Sequence, residues 1–140
     1  MGRKDTGKNF ENEIRRSLKS SRHIWWFRIQ DTNDINRFIK QAVAEKQPAD
    51  FFTVYRSRPI MLEAKTSRNL TSFPLYYGSG RAIAKHQISE GTHLVRKGGI
   101  ALILIRREEY RNKKVYAITP NQAQYLYSKR YGKKSVKWKW

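Results

Sequence analysis

Hydrophobic residues recur at two different spacings along the chain, and this pattern predicts alternating helices and strands. Phe10, Ile14 and Leu18 follow one another in steps of four, which is typical of one face of a helix, here predicted over 5–20. The next segment, 23–29, is rich in aromatic and β-branched residues and is predicted to be a strand.

The middle of the chain is predicted to contain a second helix and a β-hairpin. Apolar residues repeat at helical spacing over 32–46, and this helix ends before Pro48 because the residue preceding a proline disfavours the helical region. Strands at 50–55 and 59–66 flank a short polar turn at 56–58, a spacing that favours an antiparallel hairpin.

A polar loop and a third helix are predicted next. The segment 67–80 is rich in Ser, Thr, Asn and Gly. A helix over 81–97 follows, and the Gly98-Gly99 pair is expected to end it. Its predicted apolar stripe consists of Ala84, Ile88, Gly91 and Val95.

The last part of the chain completes a predicted α/β fold with a mixed sheet flanked by helices. The continuously apolar run 100–105 indicates a central strand buried on both faces, and 115–118 is predicted to be another strand. Thr119-Pro120 opens a short helix through residue 127. We therefore predict one domain over 1–127, followed by a basic, aromatic tail over 128–140.

Charge changes the picture more than any other feature of the composition. The 140 residues include 30 Lys and Arg against 11 Asp and Glu, a formal net charge of +19. Such an excess favours a polyanionic partner, with nucleic acid preferred over an anionic membrane surface or a merely solubilising role. The absence of cysteine excludes disulfides and Cys-ligated zinc. No secretory signal precedes Lys8, and no apolar run could span a bilayer, so we expect a soluble, cytoplasmic protein.

Two carboxylates and a lysine are predicted to meet at the hairpin. Glu63 and Lys65 share one face of their strand, and the hairpin brings Asp50 to the same patch. The opposite face is apolar and is expected to enter the core; it carries Ile60, Leu62 and Ala64. Carboxylates that hold Mg²⁺ would allow attack on an anionic phosphodiester, and Glu11 of the first helix could join them. The alternatives are a solvated Glu63–Lys65 ion pair, an Asp50 that merely starts a strand, and a surface Glu11.

At this point the chain resembles a known family. Pro48-Ala49-Asp50 followed by Glu63-Ala64-Lys65 resembles the PD-(D/E)xK nuclease signature. The remaining motifs are similar to those of Holliday junction resolvases of the RecU and archaeal Hjc type. They are the opening helix 7–14, the Thr-Ser-Phe-Pro-Leu loop at 71–75, Lys-His-Gln-Ile at 85–88 and Lys-Gly-Gly-Ile at 97–100. The resemblance covers about 7–116.

The resemblance implies a restriction-endonuclease-like fold and a homodimer that cuts opposing strands of a four-way DNA junction. It implies that Asp50, Glu63 and the Ala64 carbonyl bind the metal, Mg²⁺ or alternatively Mn²⁺, together with the helix carboxylate of Glu11. Lys65 matches the catalytic lysine. Gln87 matches a position that lines the family site, although it could equally be an edge residue beside the core. The compact segment 31–47 replaces a longer stalk and could act as a wedge, and the tail has no counterpart in the resemblance.

Basic and aromatic residues supply candidate DNA contacts, each of which could instead belong to a solvated or structural surface. The predicted contacts are Lys4, Lys8, Arg15, Arg16, Arg37, Lys40, Thr71, Ser72 and Gln87. Trp138 and Trp140 could stack on unpaired bases or anchor the tail. Core or dimer packing is favoured for Trp25, Trp26 and Phe27. His23, His86 and His93 lack zinc-ligand spacing and are expected to be structural or to contact DNA.

The sequence thus predicts a Mg²⁺-dependent endodeoxyribonuclease that resolves four-way DNA junctions by paired symmetrical nicks. A nuclease of the same superfamily acting on flaps or duplex DNA is one alternative. A non-enzymatic, basic DNA-binding protein is a second, and an RNA-binding, ribosome-associated protein is a third. Cleavage of branched against linear DNA separates the first of these from the resolvase.

Overall fold

A five-stranded mixed sheet with helices on both faces forms the body of the protein, in a computed structural model that describes residues 6–29, 47, 49–109 and 113–139. The helices are α1 (Thr6–Ser20), α2 (Lys85–Arg96) and α3 (Pro120–Leu126). The strands are β1 (Trp25–Arg28), β2 (Phe51–Tyr55), β3 (Arg58–Ser67), β4 (Ser72–Pro74), β5 (Tyr76–Tyr77), β6 (Gly80–Arg81), β7 (Ile100–Arg107), β8 (Lys114–Ile118) and β9 (Ser135–Lys137). The predicted α/β class is confirmed.

The main sheet has the strand order β1-β2-β3-β7-β8. β3 pairs with β7 in parallel, and the other neighbours pair in antiparallel fashion. The predicted hairpin of β2 and β3 is confirmed, and its turn consists of Arg56 and Ser57, which have φ values of 46° and 62°. A two-residue turn with positive φ at both positions matches the twist of the flanking strands.

Each face of the sheet is covered by a different helix. Ile88 of α2 packs in the main core cluster with Ile103 and Ile105 of β7. On the other face, the guanidinium of Arg106 lies over the ring of Phe10 of α1, 4.6 Å from its centroid. The sheet that contains β3 is therefore covered by a helix on each face.

Arg106 is a buried charge, only 1% exposed, that ties α1 to β7. It donates to Glu13 Oε2 at 2.5 Å and to Glu108 Oε1 at 2.7 Å, and its Nη2 donates to the Thr6 carbonyl at 3.4 Å. A buried arginine is tolerated when carboxylates compensate its charge and satisfy its donors. No sequence pattern predicted this residue, because two of its partners, Glu13 and Thr6, lie on a helix far away in the chain.

Helix α2 begins and packs differently from the prediction. It starts at Lys85 rather than at residue 81, because the preceding residues form β6 and an extended N-cap at Ala84. It ends as predicted: Gly98 has φ 92°, and Gly99 N–H donates to the Leu94 carbonyl. Of the predicted stripe, Ile88 and Gly91 are buried, but Val95 is 47% exposed. Leu94 packs on the core in its place, so this part of the prediction is wrong.

The prediction that 67–80 is a loop is wrong, because this segment contains β4 and β5. β4 pairs with β9 near the C-terminus, so that Ser72 lies opposite Lys137 and Phe73 opposite Val136. Trp138 is buried against Phe73 and Tyr116, and its indole N–H donates to the Asn69 carbonyl. The segment described as a tail is thus packed on the body of the domain through β9 and Trp138.

The predicted strand at 100–105 lies inside the sheet but is not buried on both faces. Ala101, Ile103 and Ile105 are buried, whereas the alternate residues Ile100 and Leu102 are half-buried. α1 covers that second face less completely than α2 covers the first.

Two further predictions touch on parts of the chain with little or no description. The predicted helix at 32–46, and the wedge assigned to 31–47 apart from Gln47, lie outside the described residues.

Among the helices that the structure describes, none is long and apolar enough to cross a membrane.

Candidate active site

The hairpin of β2 and β3 brings Asp50 next to the Glu63-Ala64 peptide. Asp50 lies directly before β2, and its backbone N–H donates to the Leu62 carbonyl at 3.1 Å. The Ala64 N–H donates to Asp50 Oδ2 at 2.7 Å, which orients the carboxylate toward β3. The proximity of Asp50 to Glu63 follows from the antiparallel register, as the sequence predicted.

Glu63 is the most buried acidic residue of this cluster, 6% exposed, and two side chains compensate its charge. Lys65 Nζ lies 2.9 Å from Glu63 Oε1. Gln87 Nε2 donates to the same oxygen at 2.6 Å. The side-chain amide oxygen of Gln87, Oε1, accepts from the Ala84 N–H at 3.0 Å, so the same side chain caps α2 and contacts Glu63. A solvated surface ion pair, the alternative interpretation of Glu63 and Lys65, does not describe this arrangement.

The orientation of β3 differs from the prediction. Glu63 and Lys65 do share one face, but they lie in register with Ile103 and Ile105, so theirs is the face of the main core. The apolar face carrying Ile60, Leu62 and Ala64 is only half-buried. Strand alternation separates two faces but cannot say which one a helix covers more deeply. The active-site face was therefore assigned wrongly to the outside.

Glu11 of α1 reaches the edge of this cluster and pairs with an arginine. Arg28 Nη2 of β1 lies 2.5 Å from Glu11 Oε2, and both side chains are partly exposed. The charge of Glu11 contributes to raising the pKa of both Asp50 and Glu63. Arg28 was missed in the sequence, although its alternate position in a predicted strand could have suggested it.

The electrostatics of the cluster are those of carboxyl groups crowded together away from water. Burial, followed by the charge of Glu63, raises the pKa of Asp50 from 3.8 to about 7, against the lowering effect of the Ala64 N–H. Burial also raises the pKa of Glu63, while Lys65 and Gln87 oppose that change. Neighbouring acidic groups resist being ionised at the same time, because their negative charges repel each other. A cation bound between them stabilises their ionised forms.

The donor set fits a hard divalent cation that is shared with a phosphate. Within the described part of the chain, no group of three or more acidic or histidine side chains is arranged to hold a metal ion alone. Mg²⁺ nevertheless needs only one or two protein carboxylates when water and substrate phosphate oxygens complete its shell. Asp50 and Glu63 would supply those carboxylates, and their donor atoms are oxygens, which Mg²⁺ prefers.

The predicted DNA contacts are distributed over several surfaces. Lys8, Arg15 and Arg16 are exposed on α1, and Thr71 is exposed in the turn before β4. Asn69 Oδ1 accepts hydrogen bonds from the Thr71 hydroxyl and from the backbone N–H groups of Thr71 and Ser72. The structure brings Gln87 into the cluster itself. The other predicted contacts, Lys4, Arg37 and Lys40, lie outside the described residues.

The aromatic and histidine candidates divide between the core and the surface. Trp138 anchors its segment, which was one of the two alternatives for it, and Trp140 lies outside the described residues. Core packing is wrong for Trp25 and Phe27, which are 60% and 53% exposed on the edge strand β1. Their alternative role in dimer packing stays a prediction. Among the histidines, His23 and His93 are exposed, whereas His86 is half-buried.

Comparison with known families identifies the chain. The sequence profile of the family described as "RecU: Recombination protein U" matches residues 6–140. The chain belongs to the RecU family. The resemblance is thereby confirmed, and the match extends beyond 7–116 into the basic C-terminal segment, which the prediction had left without a counterpart.

Individual relatives of this RecU-family chain match it only in part or at low sequence identity. The "Holliday junction resolvase RecU" of Geobacillus sp. (strain WCH70) is 36% identical over 69 residues, which make up 49% of this chain and 30% of that protein. The chain therefore matches less than a third of that relative's length. A structure of Archaeoglobus fulgidus Hjc, described as a Holliday junction resolvase from an archaeal hyperthermophile, has 12% identity and a TM-score of 0.49. That similarity covers 84% of this chain and 75% of the archaeal chain.

Proposed function

We propose that the protein is a Mg²⁺-dependent endodeoxyribonuclease that resolves four-way DNA junctions by paired symmetrical nicks. One observation carries the proposal. In a chain of the RecU family, the buried Glu63 lies in contact with Lys65 and Gln87, beside an Asp50 whose pKa is raised to about 7. Buried carboxyl groups with raised pKa values are typical of functional sites.

Each residue of the cluster has a distinct role in this proposal. Asp50, Glu63 and the Ala64 carbonyl would bind the cation, with Glu11 as a further carboxylate at its edge. Bound there, the cation would offset the phosphate charge and lower the pKa of a water molecule that attacks phosphorus. Lys65 would orient that water and stabilise the developing negative charge, while Gln87 keeps Glu63 in place. The same oxygen donors would also bind Mn²⁺.

We propose further that the protein acts as a homodimer in the cytoplasm. A four-way junction presents two opposing strands, and the described part of one chain supplies a single site of this kind. The exposed Trp25 and Phe27 on the edge strand β1 support an interface there, because large apolar side chains on a sheet edge favour pairing with another chain. This interface is tested by measuring the oligomeric state of the wild type and of Trp25→Ser/Phe27→Ser by sedimentation. A dimeric variant would exclude this surface, and a monomeric wild type would exclude the dimer.

The decisive experiment is cleavage of an end-labelled four-way junction by the wild type and by Asp50→Asn, with Mg²⁺ and with EDTA. The expected result is paired nicks near the branch point that EDTA abolishes and that Asp50→Asn reduces by at least roughly a hundredfold. Junction binding should survive in the variant. Glu90→Gln is the matched control, because Glu90 is an exposed carboxylate on α2 outside the cluster.

The other outcomes distinguish the alternatives. Equal cleavage of linear duplex and junction would indicate a nuclease of the same fold without junction specificity. Tight junction binding without metal-dependent cleavage would leave a DNA-binding protein on a nuclease scaffold. RNA that displaces the junction at lower concentration than DNA would instead favour the RNA-binding alternative.

A further inference from the structure

A groove near the C-terminus combines lysines with two tyrosine rings, apart from the carboxylate cluster. It is open, measures about 760 Å³, and is called here the C-terminal groove. Its lining residues are Tyr125, Tyr131, Lys133, Lys134, Ser135, Lys137 and Lys139. Tyr125 comes from α3, Ser135 and Lys137 come from β9, and the other lining residues lie just before or just after β9.

Four lysines give the C-terminal groove a strong positive charge. No Asp or Glu follows Glu109 in the sequence, and Lys129 and Arg130 add to the charge of the same segment. In the described part of the chain, no carboxylate forms a salt bridge with any of its lysines. Like charges gathered in a concave surface repel one another and attract an extended anion.

The aromatic wall of the C-terminal groove is both fixed and accessible. The Tyr131 hydroxyl donates to the Ser135 carbonyl at 2.9 Å, and Lys133 Nζ lies 5.8 Å from the centre of its ring. Tyr125 packs against Tyr131 at an angle of 64°, with ring centroids 5.7 Å apart, yet it remains 43% exposed. An exposed ring held by its neighbour is a ready platform for a nucleobase.

We propose that the C-terminal groove is a second DNA-binding site, which holds an unpaired strand. Its phosphates contact Lys134, Lys137 and Lys139, and a base stacks on Tyr125. A duplex keeps its bases stacked inside, so it could use the lysines but not the ring. β9 pairs with β4, which places Lys137 opposite Ser72, and the turn before Ser72 follows the strand that carries Glu63 and Lys65.

This inference rests on the proposed function only in assuming that the ligand is DNA. Its test measures DNA binding and involves no cleavage. Fluorescence anisotropy in EDTA compares a labelled oligothymidylate with a duplex of equal length. Lys134→Ala/Lys137→Ala should weaken oligothymidylate binding roughly tenfold and reduce the slope of log affinity against log salt by about 1.4, or about 0.7 for each phosphate contact. Lys97→Ala/Lys114→Ala removes the same charge from exposed lysines outside the groove and should leave that slope closer to the wild type.

The tyrosine tests whether the strand is unpaired. Tyr125→Ala should weaken oligothymidylate binding by about 5- to 100-fold and leave duplex binding unchanged, whereas Tyr125→Phe, which keeps the ring, should bind like the wild type. Circular dichroism confirms folding of each variant. Equal losses in the two lysine pairs, or a Tyr125→Ala variant that binds oligothymidylate normally, would overturn the proposal. A Tyr125→Ala effect equal on duplex and single strand would also overturn it.

Discussion

Gln87 joins the start of α2 to the buried carboxylate of Glu63: its amide nitrogen lies 2.6 Å from Glu63 Oε1, while its amide oxygen accepts from the Ala84 N–H. One side chain therefore connects the geometry of a helix terminus to that of the candidate metal ligand. Any shift of the first turn of α2 would be transmitted directly to Glu63.

Gln87→Ala should impair the site more than it impairs the fold. The helix loses one capping contact, about 1 kcal/mol, but Glu63 loses a donor that stabilises its ionised form. We expect junction cleavage to fall by roughly tenfold and Mn²⁺ affinity, measured by calorimetry, to weaken. Gln122→Ala is the matched control, because Gln122 makes the same capping contact at Thr119 of α3 without contacting a carboxylate. Equal losses of cleavage in the two variants would contradict a role beyond capping.

Lys65→Ala should separate catalysis from metal binding. Lys65 contacts Glu63 but offers no oxygen to a cation, so its removal lowers the rate without removing a ligand. We expect cleavage under saturating metal to fall by roughly a hundredfold or more. Mn²⁺ affinity should be equal or tighter, because a competing positive charge beside Glu63 is gone. A variant whose only defect is weaker metal binding would instead indicate that Lys65 supports the ligands.

Stability of the metal-free protein should fall as the pH rises. The pKa of Asp50 is 3.8 in its unperturbed form and about 7 in the folded chain, so the folded state binds this proton more tightly than the unfolded state does. The resulting stabilisation is complete below about pH 4 and is lost as the pH rises through about 7. Asp50→Asn cannot ionise and avoids this loss.

Urea unfolding in EDTA at several pH values tests that dependence. Asp50→Asn and the wild type should be similar near pH 4, and the variant should be more stable by on the order of 4 kcal/mol near pH 8. Addition of Mg²⁺ near pH 8 should then stabilise the wild type but not the variant, because ligand binding favours the folded state. Parallel pH profiles for the two proteins would show that Asp50 ionises normally.

Arg106→Ala should be strongly destabilising. It leaves Glu108, whose side chain is 11% exposed, without its partner, and it removes the contact with Phe10. We expect a loss of about 3 kcal/mol in urea unfolding, and Arg106→Lys should recover only part of it, since lysine lacks the planar fork. Arg107→Ala is the neighbouring control: it breaks the more exposed pair with Glu109 and should cost about 1 kcal/mol or less. Similar losses in the two variants would refute a special role for Arg106.

Local relationships were predictable from the sequence, and distant ones were not. The spacing of Asp50, Glu63 and Lys65 required only a hairpin and the two-residue period of a strand, and both follow from short-range pattern. The contact between Gln87 and Glu63 crosses from a helix to a strand, and only the family resemblance suggested it. The buried face of β3 was assigned wrongly, because helices cover both sides of this sheet and alternation alone does not rank them.

The strand pairing at the C-terminus was not predicted, for the same reason. β9 is three residues long and pairs with β4, and neither strand has a distinctive pattern of its own. The burial of Trp138 depends on that pairing. A basic segment without periodicity is ordinarily taken for a solvated tail, and its partner strand lay within a segment predicted to be a loop.

The anchoring of α1 by Arg106 has a consequence for the order in which the site is assembled. Asp50 and Glu63 meet through a hairpin, which closes quickly because its partners are near in sequence. Glu11 arrives with α1, whose ionic anchor joins Glu13 to a residue 93 positions later. Contacts at such separation form late in folding, since they must first overcome the entropy of a long loop. In a refolding experiment, tight metal binding should therefore lag behind formation of the hairpin, and Arg106→Lys should lengthen that lag.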